Sequence, residues 1–225
     1  MSAGTGGRVY MYTVEERLWH WFQAATMLAL MATGIVIHLP RVWRFLDFET
    51  AVRLHDWLGV LLTVNALFGL GWHVATKQLR QFLPAGSSWA GAAAEQVRYY
   101  AWGIFVGAPH PNEKSAGRKL NPLQQVTYFG LLNLLLPMQV ATGAGMLGLR
   151  YSPALVERLT ELGLLAPIHL VGAWLFAAFV VAHVYLTTTG TTLVSNVVAM
   201  ITGFEEVHAP ATPAEPAQDP TGGAR

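Results

Sequence analysis

The sequence has no cysteine in 225 residues. That absence excludes disulfides, thiolate ligation of an iron–sulfur cluster, and covalent attachment of a c-type haem through Cys-x-x-Cys-His. Charge is scarce too: Asp, Glu, Lys and Arg make up 12% of the chain, about half of the ~25% usual in soluble domains. Hydrophobic residues reach 53% and mean hydropathy is +0.37, a composition suited to lipid rather than water. A net charge of +1 supplies no field to draw in nucleic acid.

Four long apolar runs stand out, at Leu18–Leu39, Leu54–Ala75, Leu123–Leu149 and Pro167–Thr187. Each is long enough to cross roughly 30 Å of hydrocarbon, which takes about 20 helical residues. The fold expected is therefore all-α, an integral membrane four-helix bundle over residues 1–207, with a disordered tail at 208–225 rich in Ala, Pro, Thr and Gly. The first run exceeds the 7–15 residues of a cleavable signal segment and is read as a retained span.

Local chemistry agrees with these spans. Thr13-Val-Glu-Glu16 has the spacing of a capping box. Asn121-Pro122 places an N-cap and an N1 proline before the third span; Pro167 opens the fourth, and Gly190 is placed to end it. Short interfacial helices are expected at Glu95–Phe105 and Thr192–Phe204. With odd–even alternation, nine of the 14 basic residues fall on the side of the termini and five on the other. Positive charge collects on the cytoplasmic side, so both termini are expected there.

Six of the eight histidines lie in or beside the spans: His20, His38, His55, His73, His169 and His183. An ionisable side chain at membrane depth points to function. His169 and His183 are 14 residues apart, about 40° around a helix and about 21 Å along it. His55 and His73, like His20 and His38, are 18 apart, on one face of their helix. His20, His73 and His183 fall towards the inner side, and His38, His55 and His169 towards the outer. This is the pattern of two haem layers, each iron held between imidazoles of different helices. Gly59, Gly172, Ala177, Ala178 and Ala182, with Gly34, Gly69 and Gly143 as further candidates, would admit a porphyrin. A lone histidine near a helix end is more often an interfacial polar residue, and His38 beside Pro40 fits that description. Zinc would want ligands clustered in sequence, often with Cys or carboxylate. His110 and His208, in loop and tail, read as solvated.

At Arg17-Leu-Trp-His20-Trp21, Leu54-His55-Asp-Trp-Leu-Gly59, Lys119-Leu-Asn121-Pro-Leu-Gln124, and His169 with His183-Val-Tyr185, the chain resembles a known family. It is similar to the four-helix cytochrome b subunits that anchor bacterial formate dehydrogenases, nickel–iron hydrogenases and thiosulfate reductases to the membrane. The similarity covers roughly residues 10–205. The resemblance implies two haem b groups, an outer one on His55 and His169 and an inner one on His20 and His183, with His73 the alternative inner ligand. It also implies a quinone near the inner haem beside Asn121, whose plainer role is the N-cap. Arg17 and Arg53 are candidates for haem propionates or for boundary charges. Trp19, Trp21, Trp57 and Trp72 suit an interfacial belt.

The function expected is an electron-transfer subunit of the bacterial inner membrane. It would link periplasmic iron–sulfur and catalytic subunits of a hydrogenase, formate dehydrogenase or thiosulfate reductase type enzyme to membrane quinone, with either direction of flow open. The alternatives are a standalone di-haem quinone oxidoreductase and a histidine-lined metal transporter. The transporter would need acidic intramembrane residues and broken helices, which the spans do not offer.

Overall fold

Helix α1 (Val14–His38) begins where its capping box says it should. The Thr13 hydroxyl accepts from the Glu16 N–H at 3.3 Å, and the Glu16 carboxylate accepts from the Thr13 N–H at 2.9 Å. Two of the four N–H groups left over at a helix start are thereby satisfied. Helix α2 (Phe48–Ala75) starts the same way on Asp47, which accepts from the Thr50 N–H at 2.9 Å. That bond holds the exposed Asp47 carboxyl below its ordinary pKa. Both helices begin four to six residues before the apolar runs. The caps fix their starts, whereas hydropathy registers only the lipid-facing part.

The computed structural model describes residues 7–43, 45–77, 89–109, 111, 120–152 and 163–207. Helix α3 (Trp89–Ala101) and a 3-10 turn (Gly103–Val106) follow the second span. The third span is a continuous path of α4 (Pro122–Gly130), a π-helical turn (Leu131–Leu135) and α5 (Leu136–Tyr151). Helix α6 (Leu165–Thr187) is the fourth span, ending before Gly190, and a short α7 (Ser195–Thr202) succeeds it. His110, His208 and the tail at 208–225 lie outside the described residues.

Among the described residues, four helical paths are long and apolar enough to span a membrane, the shortest having 23 residues, or about 35 Å at 1.5 Å per residue. No more than 17% of the most apolar stretch of any of them is buried within the protein. Their outward apolar surface therefore faces lipid, where intrahelical hydrogen bonds satisfy the backbone. The spans form two hairpins: α1 packs along α2, and α5 along α6. Leu62, Leu136 and Phe176 form the buried centre where α2, α5 and α6 meet, with Met27 and Leu30 of α1 packed against it.

Two short strands were not expected from the sequence. β1 (Gly7–Tyr10) pairs antiparallel with β2 (Phe204–Val207), with Arg8 opposite Glu206 and Tyr10 opposite Phe204. Met11 and Tyr12 donate their N–H groups to the Gly203 carbonyl at 2.8 and 3.2 Å. Gly203 has φ +89°, and a Cβ there would lie 2.7 Å from the Tyr10 ring and 2.8 Å from the Tyr12 carbonyl. Only glycine satisfies both constraints. Arg17 donates to the Ile201 carbonyl, and the Trp21 indole donates to that of Met200 at 3.0 Å, fastening α1 to α7.

Candidate haem-binding site

Helix α6 carries His169 and His183, with Phe176 midway between them. Across from it, His55 of α2 faces His169 with ring centroids 6.2 Å apart and planes at 73°. His20 of α1 faces His183, again at 6.2 Å, with planes at 47°. Two imidazoles sharing one iron, each nitrogen about 2.0 Å from the metal, put their centroids about 6 Å apart. Both pairs have that separation. Among the described residues, α6 scarcely touches α1 or α2 along the backbone, so the helices stand apart where the histidines meet. A donor set of paired imidazoles between separated helices fits haem.

The outer pair is held in place through its other ring nitrogens. Thr33 Oγ1 lies 2.9 Å from His55 Nδ1, and Thr142 Oγ1 lies 3.0 Å from His169 Nδ1. A Cβ on Gly34 would stand 3.5 Å from His55 Cε1, and one on Gly143 would stand 3.2 Å from His169 Cε1. Gln139 donates to the His169 carbonyl at 3.1 Å. The inner pair is set differently. His20 Nδ1 is buried with no hydrogen-bond partner among the described residues, and His183 stacks on Phe179 at 5.6 Å and 21°.

His73 packs edge-on against Trp19, at 5.8 Å and 89°, rather than across from His183. The Trp19 indole donates to the Asn65 carbonyl at 3.2 Å and lies over Gly69. His38 is exposed at the end of α1. Among the glycines, Gly34 and Gly143 abut the outer histidine rings, a Cβ on Gly172 would meet Gln139 and Met138, and one on Gly59 would meet nothing within 4 Å. Arg17 is engaged with the Thr13 and Ile201 carbonyls, and Arg53 with Glu49 at 3.3 Å.

Asn121 caps α4. Its Oδ1 accepts from the Gln124 N–H at 2.8 Å, Gln124 Oε1 accepts from the Asn121 N–H at 3.0 Å, and its Nδ2 donates to the Tyr100 hydroxyl at 3.2 Å. Burial pushes the Tyr100 phenol above its ordinary pKa, with the Asn121 bond pulling the other way. Thr33, Thr142, Gln139 and Phe176 carry no signal in isolation. One sign was present in the sequence: the tripeptide Ala-Thr-Gly occurs at 32–34 and again at 141–143.

Comparison with known proteins places the chain among membrane cytochromes. The chain is similar to the Putative cytochrome YdhU of Escherichia coli (strain K12), 31% identical over 209 residues covering 88% of this chain and 75% of that one. It is also similar to the Probable Ni/Fe-hydrogenase 1 B-type cytochrome subunit of the same organism. That match is 27% identical over 204 residues, 79% of this chain and 81% of that one. The family described as Prokaryotic cytochrome b561 matches residues 11–203, which include both histidine pairs. The chain belongs to the prokaryotic cytochrome b561 family and is a multi-pass membrane cytochrome of the b type.

Proposed function

We propose that this chain is the membrane-anchoring, di-haem subunit of a larger oxidoreductase, carrying electrons between a periplasmic redox enzyme and the membrane quinone pool. The observation that carries the reading is the pair of histidine couples, each at 6.2 Å, stacked at two depths along α6. Haem b at each couple supplies reversible one-electron iron chemistry. The chain's own residues do the rest. His55 with His169 and His20 with His183 hold the two irons. Leu62, Leu136 and Phe176 fill the depth between the couples and keep water out of it.

The partner reading draws on the resemblance to hydrogenase, formate dehydrogenase and thiosulfate reductase anchors, and on the name of the hydrogenase-type relative. The excess of basic residues on the side of the termini supports an inner-membrane protein with both termini in the cytoplasm. The quinone reading places its carbonyl at Asn121. One Nδ2 hydrogen is given to Tyr100, which leaves the second to donate.

The test uses detergent-purified protein reduced with dithionite and mixed with a menaquinone or ubiquinone analogue. Rapid reoxidation of the b-type absorbance supports the quinone link; haems that stay reduced with both analogues contradict it. Asn121→Asp keeps the cap acceptor and removes the N–H donors. It is expected to slow reoxidation about tenfold, the loss of roughly one hydrogen bond, with haem content unchanged. Co-purification of an iron–sulfur subunit from native membranes tests the partner.

A further inference from the structure

We infer that Thr33 and Thr142 are positioning residues that fix the tautomer of the outer histidines and make that haem harder to reduce. The inference rests on the reading of His55 and His169 as iron ligands. A threonine hydroxyl has one proton. That of Thr33 is directed to the carbonyls of Ala29 at 2.9 Å and Leu30 at 3.1 Å. That of Thr142 is directed to Met138 at 2.8 Å and Gln139 at 3.1 Å. Carbonyls only accept, so the hydroxyls meet the histidines as acceptors. Nδ1 of His55 and of His169 must then carry the proton and donate it, at 2.9 and 3.0 Å. Nε2 is left as the basic nitrogen on both rings, the form that binds a metal.

The arrangement occurs twice and is sealed. Thr33 and Thr142 are 5% and 7% exposed, so no bulk water competes for either bond. In each hairpin the first helix supplies an Ala-Thr-Gly tripeptide and the second supplies the histidine. The threonine makes the bond, and the glycine after it lies against the ring, tightly only at Gly143, where a Cβ would stand 3.2 Å from His169 Cε1. Back-bonding to the preceding turn is ordinary helix chemistry: Thr26, also 5% exposed, bonds the Phe22 carbonyl at 2.9 Å. What distinguishes Thr33 and Thr142 is the second bond, to a histidine. The inner couple lacks the counterpart, since His20 Nδ1 has no partner among the described residues. An imidazole that donates from Nδ1 is a stronger electron donor through Nε2 and favours ferric iron, which lowers the midpoint potential. The two haems are thereby tuned unequally.

The test is potentiometric titration of the haem absorbance in the full-length purified protein, with haem quantified, for Thr33→Val, Thr142→Val, the double variant, Thr33→Ser, Thr142→Ser and Thr26→Val. In each single valine variant one of two haem components should move to higher potential, and in the double variant it should move further. The other component should stay put. The serine variants should titrate as wild type, and so should Thr26→Val. Valine variants that titrate as wild type overturn the inference, as does a Thr26→Val shift of equal size, and both leave the ligand reading intact. If a valine variant loses a haem, the matching serine variant decides: retention supports the hydroxyl's role and loss overturns it. Folded wild-type protein without haem overturns the ligand reading and this inference with it.

Discussion

The side chain a glycine lacks defines its place beside the outer histidines. A Cβ on Gly143 would come within 3.2 Å of His169, a separation that forces the ring to give, whereas one on Gly34 would meet His55 at an ordinary 3.5 Å. Gly143→Ala is therefore expected to displace the imidazole, at about 1–3 kcal/mol of overpacking, and to lower haem content by up to one per chain. Gly34→Ala should retain full content; pyridine haemochrome quantification of the two variants checks the contrast. The four paired histidines were legible in the sequence because ionisable groups at membrane depth are conspicuous. Depth alone left His20 and His73 level, and the resemblance chose between them. In the structure His20 faces His183, while His73 lies against Trp19. The two threonines were not legible, because a threonine in an apolar helix usually bonds its own backbone, as Thr26 does.

Helix contacts in lipid depend on close packing, without the water that drives association in soluble proteins. Between α1 and α2, the Trp19 indole occupies the space over Gly69, where an added Cβ would fall 2.6–2.8 Å from it, while Gly71 faces nothing within 4 Å. Gly69→Ala should push the indole off the Asn65 carbonyl and destabilise the hairpin by about 1–3 kcal/mol. Gly71→Ala should be neutral, which denaturation in mixed micelles followed by circular dichroism will show. Apolar run length pointed to all four spans, and the capping box at Thr13 and the N-cap at Asn121 were readable as motifs, while the reciprocal Gln124 bond at Asn121 emerged only in the structure. The π-helical turn was not. Pro137 has no N–H, and its ring crowds the carbonyl four residues back. The preceding turn widens, so that the Leu136 N–H reaches the Leu131 carbonyl. That turn shifts the two halves of the span by about one residue step, ~100°, and so breaks the periodicity a sequence reading relies on.

Across the whole molecule, the β1–β2 ribbon joins the two ends of the described chain, as four spans require when both ends lie on one side. Four-residue strands bearing Arg8, Glu205 and Glu206 show no apolar alternation, so the sequence carries no strand signal there and Phe204 reads instead as the end of the interfacial helix expected at Thr192–Phe204. Because the chain has no cysteine, single-cysteine variants give a clean topology map. Glu49→Cys should react with an impermeant maleimide in intact cells, and Arg8→Cys only after the membrane is opened; the reverse pattern contradicts cytoplasmic termini. The central claim is that each of two histidine couples holds one haem. Its most direct test is haem content and the reduced-minus-oxidised spectrum of purified wild type, His169→Ala, His183→Ala and His73→Ala. The account predicts about two b haems in wild type, one in each of the first two variants, and two in His73→Ala. Full content in His169→Ala or His183→Ala, or a haem lost from His73→Ala, would contradict it.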